Sequence, residues 1–171
     1  MKIKEHKTVY LTTVGMLLTI ALVLSYVESL IPFFGGVPGM KLGLPNMAVV
    51  VLLYLYSEKE GIIVNVLRIV LSGFLFGNLF GILFSLAGAF ISFISMVLCK
   101  KYDLFDIKGV SVIGGIMHNA GQLFVAAFIV KTVGIIYYLP VLLIAGTLTG
   151  YLNGFVAELM YKYLNRIKFG E

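Results

Sequence analysis

Long apolar stretches separated by short polar ones run along the whole chain, and their lengths predict membrane helices. The first stretch, from about Thr8 to Val27, is long enough to cross a hydrocarbon core about 30 Å thick. Three more of similar or greater length follow: Asn78 to Leu98, Val110 to Val130, and Tyr137 to Asn165, the last continuing past the bilayer. Two are shorter, Asn46 to Tyr56 and Gly61 to Ser72, with Ser57–Glu58–Lys59–Glu60 between them. Helices of that length reach only about 17 Å at 1.5 Å per residue. Either they tilt and continue into their loops, or each ends at a cavity where broken backbone is tolerated. The pattern predicts an all-α fold: a polytopic six-helix bundle forming one integral membrane domain over residues 1–171, with both termini on one side.

Between the first two helices the pattern changes. Glu28 to Met47 holds three of the chain's four prolines (Pro32, Pro38, Pro45) together with Gly35, Gly36, Gly39 and Gly43. Proline fixes φ and removes a donor, and glycine opens left-handed backbone, so this segment cannot be a regular helix. It is also too apolar for a solvated linker. It reads as a shaped loop on, or dipping into, the membrane surface, with Glu28 at its start, Lys41 in its middle and Asn46 near its end. A plain connector is the bland alternative.

Composition agrees with the membrane reading: 60% of residues are hydrophobic, 12% are charged, and mean hydropathy is +1.04. Soluble domains carry about a quarter charged residues. The first apolar segment is expected to be retained rather than cleaved as a signal. The net charge of +5 does not form a stripe interleaved with aromatics, so nucleic acid is not expected as a partner. With a cytoplasmic N-terminus, ten bases fall on the inner side, only Lys41 and Lys131 on the outer side, and Arg68 inside a helix. That bias places the Glu28–Met47 loop outside the cell, in a cell-membrane protein with both termini cytoplasmic. The single cysteine, Cys99, excludes an intrachain disulfide and a thiolate metal site.

Polar residues inside apolar helices are the candidate chemistry. An unpaired charge such as Arg68 costs about 3 kcal/mol in a membrane helix. It could pin helices by pairing with Glu28, or hold an anionic substrate group in bidentate geometry. Asn65 and Ser72 share roughly its face. In Gly114 to Gln122, His118 and Gln122 lie four apart with Asn119 alongside; these could bridge helices or line a cavity for a polar ligand. A metal site is not supported, because His118 has no histidine or cysteine companion at ligand spacing. Lys41 could meet an anionic substrate or rest at lipid headgroups. Asn46 and Asn78 are expected as helix caps. Asn153 is expected near the inner face, away from an outer cavity, and Glu158 at the inner interface or against a cytoplasmic partner. Small-residue pairs recur, including Gly15/Thr19 and Ala21/Ser25 on the first helix and Gly146, Gly150 and Gly154 on the last, and such faces let helices approach closely.

Three motifs carry a resemblance that covers nearly the whole chain: P-G-x-K-x-G-L-x-N at Pro38 to Asn46, Leu67–Arg68–Ile69 followed by Ser72–Gly73, and Gly114–Gly115–x–x–His118–Asn119–x–x–Gln122. Together they resemble the Gx transporter family, whose members are also described as component I of heptaprenyl diphosphate synthase. More distantly the chain is similar to substrate-binding (S) components of energy-coupling factor (ECF) vitamin transporters. That likeness implies six helices, cytoplasmic termini and a ligand pocket near the outer face, closed by the loop after the first helix. It implies substrate contacts from Glu28, Lys41, Asn46, Arg68, His118, Asn119 and Gln122. It further implies uptake of a small vitamin-like or cofactor precursor, coupled to a transmembrane coupling protein and ATPase subunits. S components dock through helix-1 alanines four apart; here Gly15 and Thr19, or Ala21 and Ser25, stand at the matching positions. No cofactor is implied. Prenyl diphosphate synthases resemble soluble helical proteins with DDxxD motifs, whereas this chain has only Asp103 and Asp106. Catalysis is therefore not expected, and the alternative is a non-catalytic membrane subunit associated with polyprenyl diphosphate or quinone biosynthesis.

Overall fold

The computed structural model describes residues 2–30, 43–131 and 133–169. They form an all-α bundle: α1 (Lys2–Leu30), α2 (Asn46–Leu55), α3 (Glu58–Phe76), α4 (Leu79–Lys101), α5 (Ile107–Val130), a short 3-10 turn (Val133–Tyr138) and α6 (Leu139–Phe169). Four stretches are long and apolar enough to cross a membrane: Lys7–Leu30, Leu79–Lys101, Ile107–Ile129 and Gly134–Ile167. The protein is thus a six-helix polytopic membrane bundle with four apolar spans. Most of the Glu28–Met47 segment read as a shaped loop, residues 31–42 with Lys41 among them, lies outside the described residues.

Helix ends follow local chemistry. The Ser57–Glu60 tetrad, expected as a connector, is the capped start of α3. Ser57 accepts from Lys59 N at 3.2 Å, its hydroxyl donates to Glu60, and Glu58 and Glu60 lie at the positive end of the helix dipole. This makes α3 a 19-residue helix rather than the 12-residue one expected. Asn78 caps α4 as expected, accepting from Gly81 N at 2.8 Å, and Asp106 caps α5 through Gly109 N at 2.8 Å. Asn46 does not cap α2: Pro45 holds the cap position, with no side-chain cap, and the Asn46 amide is turned elsewhere.

At 10 residues, α2 is as short as its apolar run indicates, and nine of the ten are buried. It spans about 15 Å, half a bilayer core. The other helices wrap it, so its run of aliphatics from Met47 to Leu53 forms the centre of the largest apolar cluster. Ahead of it the non-helical Gly43 and Pro45 are buried too. Irregular backbone at membrane depth survives only where protein encloses and satisfies it.

The α5–α6 seam packs backbone directly against backbone. A Cβ on Gly115 would lie 2.3 Å from Gly146 O, one on Gly150 would lie 2.8 Å from Ser111 O, and one on Gly154 would lie 2.8 Å from Lys108 Cα. The glycines at intervals of four on α6 are therefore consumed by internal packing. At one end of the bundle the basic and acidic side chains gather: Tyr10 donates to Glu60 at 3.0 Å, Lys100 to Leu53 O at 2.5 Å, and Glu158 pairs with Lys108 and Lys162 at 2.9 and 2.6 Å.

Candidate functional site

Gly43 is the point where four elements meet. Its N–H donates to Glu28 Oε1 of α1 at 2.5 Å, and its carbonyl accepts from Asn153 Nδ2 of α6 at 2.9 Å and from Asn46 N of α2 at 3.0 Å. Leu44 N also donates to Glu28 Oε1, at 3.3 Å. The N–H and carbonyl of Gly43 and the N–H of Leu44 are thereby satisfied. Gly43 has φ +86°, which side-chain-bearing residues rarely adopt, and an added Cβ would lie 3.0 Å from Asn46 Nδ2 and 3.5 Å from His118 Cδ2. Asn46 and the His118 ring of α5 thus flank the space that glycine leaves.

The bond to Gly43 O corrects one expectation for Asn153: it joins the candidate residues through Gly43 instead of standing apart from them. Its neighbour Gly154 packs on Lys108 Cα and Ser111 at the start of α5, next to the Lys108–Glu158 pair, in keeping with the expected position toward the inner end of α6.

Arg68 is 3% exposed. Its Nε and Nη2 donate to Asn65 Oδ1 at 3.0 and 2.8 Å, and Nη2 also donates to Asn46 Oδ1 at 2.8 Å. The Nε–Nη2 edge of the guanidinium, one of the two with which it could grip a carboxylate, is filled by amide oxygens. Glu28 lies within electrostatic range of Arg68, but Arg68 makes its close contacts with the two asparagines. Hydrogen bonds to a charged donor contribute about 1.5–3 kcal/mol each, enough to offset much of the cost of burying it.

On α5, His118, Asn119 and Gln122 are all nearly inaccessible, at 2, 1 and 1%. His118 Nε2 and Gln122 Nε2 are 3.1 Å apart, so with the amide in this orientation the ring nitrogen accepts and the ring proton resides on Nδ1. Asn119 Nδ2 donates to Leu142 O of α6 at 2.8 Å. Among the described residues, Asn119 Oδ1 and Asn46 Nδ2 are buried without a hydrogen-bond partner, as is Ser85 Oγ on α4.

Five of the seven residues expected to bind substrate therefore converge, directly or through Gly43 (Glu28, Asn46, Arg68, His118 and, beside His118, Gln122), and Asn119 faces α6 next to them. Lys41 is outside the described residues. Gly43, Asn65 and Asn153 are additional members of the cluster; Gly43 carried a signal in its motif, and Asn153 in being an amide within an apolar helix. Of the helix-1 pairs, Gly15 and Thr19 are exposed, and nothing lies within 4 Å of a Cβ on Gly15. Ala21 and Ser25 are buried, Ser25 donating to Ala21 O at 2.8 Å.

Two hollows lie away from this centre. An outward-facing groove of about 440 Å³ on α3 is lined by Ile62, Ile63, Val66, Leu67 and Val70, and a hollow of about 390 Å³ opens at the charged end among Tyr54, Lys100, Asp106, Glu158, Tyr161 and Lys162. Among the described residues no group of three or more His, Cys, Asp or Glu could hold a metal ion.

A family model for heptaprenyl diphosphate synthase component I matches residues 17–160. No curated protein and no solved structure matches the chain.

Proposed function

The chain belongs to the heptaprenyl diphosphate synthase component I family, and from that membership and the buried polar junction we propose a non-catalytic membrane subunit that holds a small solute inside the bundle. In this reading it serves polyprenyl diphosphate or quinone biosynthesis as a membrane partner of the soluble chemistry. The carrying observation is the junction at Gly43, where the Glu28 carboxylate of α1, the Asn153 amide of α6 and the first backbone N–H of α2 meet a broken span in the protein interior. Ionisable and amide groups at this depth are costly and are characteristic of solute pathways in membrane proteins.

A second reading is supported by the same junction directly following a proline- and glycine-rich segment in the sequence: uptake of a vitamin-like or cofactor precursor as an S component. Here the loop is extracellular and closes over the solute, Glu28, Lys41, Asn46, Arg68, His118, Asn119 and Gln122 contribute to its site, and the charged end faces the cytoplasm. Gly15 and Thr19, outward on α1, are the exposed small-residue pair for an ECF coupling protein, with ATPase subunits beyond it. Gentle purification from the native cell membrane followed by mass spectrometry separates the two. A co-purifying soluble prenyl synthase supports the first reading, and ATPase subunits with a coupling protein support the second. Neither set of partners, with no small molecule retained, refutes both.

A further inference from the structure

The hollow at the charged end holds charges of both signs that do not pair with each other. Around it stand Tyr54 at the end of α2, Lys100 and Asp103 at the end of α4, Asp106 before α5, and Glu158 and Lys162 on α6. Glu158 is neutralised by Lys108 and Lys162, at 2.9 and 2.6 Å. Among the described residues, Lys100, Asp103 and Asp106 form no ion pair. Each is tethered elsewhere. Lys100 donates to Leu53 O at 2.5 Å and sits 5.2 Å from the centre of the Tyr54 ring, which leaves further N–H groups of its ammonium to serve. Asp106 accepts from Gly109 N at 2.8 Å. Asp103 occupies the left-handed turn that closes α4, at φ 51°, with its N–H donating to Lys100 O at 3.1 Å. Both aspartates lie within electrostatic range of Tyr54, whose ring carries Lys100, so the unpaired charges converge on one side chain.

Depth and balance narrow the guest. The apolar span Leu79–Lys101 ends at this hollow and the span Ile107–Ile129 begins there, which sets it at the level of lipid headgroups. Beside it Tyr102, Leu104 and Phe105 are 66, 59 and 49% exposed, apolar surface suited to the membrane interface. Lys100, Lys108 and Lys162 balance Asp103, Asp106 and Glu158, so a guest of one sign alone meets repulsion as well as attraction. The volume of about 390 Å³ is that of a small-molecule site. We infer that this hollow binds the headgroup of a phosphatidylethanolamine from the adjoining leaflet. Its phosphate accepts from Lys100, and its ammonium donates to Asp103 and Asp106. Phosphatidylglycerol has the phosphate without the ammonium and leaves the carboxylates uncompensated. Phosphatidylcholine has both charges, but its trimethylammonium has no N–H to donate. A bound headgroup bridges α2, α4 and α5 and fastens the end of the buried central helix. This lipid site is separate from the Gly43 junction and stands or falls independently of solute binding there.

The test places the full chain in nanodiscs of phosphatidylcholine, phosphatidylethanolamine and phosphatidylglycerol in equal shares, and native mass spectrometry counts the lipids it retains. Phosphatidylethanolamine should be enriched roughly tenfold over each of the others, the worth of about one charge-assisted hydrogen bond. Replacing phosphatidylcholine by it should raise the unfolding midpoint, followed by circular dichroism, by about 3 °C. Asn tolerates left-handed backbone and caps helices as Asp does, so the double variant Asp103→Asn/Asp106→Asn should fold and melt near wild type in phosphatidylcholine. With two negative charges gone, its preference should pass to phosphatidylglycerol. Lys100→Gln keeps an N–H for Leu53 O and should lose most of the enrichment. Phosphatidylglycerol retained by wild type as strongly as phosphatidylethanolamine overturns the assignment, as does an unchanged preference in the folded double variant. No preference among the three lipids overturns it as well. Stabilisation by free phosphoethanolamine without enrichment of its lipid gives the hollow to a soluble zwitterion and refutes the lipid site.

Discussion

Gly115→Ala tests whether the polar centre is held in place by the backbone contact of α5 and α6. An alanine Cβ there would lie 2.3 Å from Gly146 O, 3.1 Å from Gly150 Cα and 3.2 Å from Gly146 C. All three are backbone atoms of one helix, so no side chain can swing aside. Restoring an ordinary carbon–oxygen contact requires the helices to part by about 1 Å, which forfeits a quarter to a half of the attraction between the atoms it separates. The loss spreads along the seam, because Gly146, Gly150 and Gly154 all depend on the same approach. Because the opposing atoms are backbone, the upper part of the overpacking range applies, about 2–3 kcal/mol, and alanine's better helix propensity returns roughly 1 kcal/mol. A net destabilisation of about 1–2 kcal/mol lowers the melting midpoint by roughly 3–6 °C for a chain of this size. Cys99 is the single cysteine and is buried, so a thiol-reactive dye reports unfolding in micelles without further engineering. Gly15→Ala is the matched control: nothing lies within 4 Å of its Cβ, and it should melt at or slightly above wild type. A Gly115→Ala protein that melts within a degree of wild type, or above it, refutes the argument that this seam has no room.

Gly43→Ala should destabilise by about 1–2 kcal/mol from left-handed backbone alone, with more from the 3.0 Å approach to Asn46 Nδ2; an unchanged midpoint in the same dye assay would show that this turn relaxes freely. Arg68→Lys replaces a planar fork with a single ammonium that cannot reproduce the three bonds to Asn65 and Asn46, so about 1–3 kcal/mol of stability should be lost, and a wild-type melting curve would contradict that. For topology, single cysteines at Gly36 and Gly134 in a Cys99→Ala background should label from outside intact cells with an impermeant maleimide, and one at Lys101 only after permeabilisation. The reverse pattern would invert the orientation that the basic residues imply.

Much of the architecture is written locally. Runs of twenty apolar residues have no stable place outside a bilayer, so the four long spans and the six-helix count follow from length and hydropathy without tertiary knowledge. The caps at Asn78 and Asp106 are equally local, since each side chain bonds to a backbone N–H three residues on. The brevity of α2 was legible too, because glycine and proline end it on one side and charges on the other. Its place at the centre of the bundle was not. The apolar run from Met47 to Leu53 reads the same whether it faces lipid or protein, and only the packing of the surrounding helices decides. That Arg68, Asn119 and Gln122 need partners was dictated by their chemistry in an apolar helix. Which partners they take depends on contacts between residues 22, 23 or 110 positions apart, as for Arg68–Asn46, Asn119–Leu142 and Asn153–Gly43. Helical periodicity carries no information across such separations. Asn153 was expected apart from the other candidate residues for that reason, and Asn46, a cap by type and position, is held instead by a guanidinium on another helix.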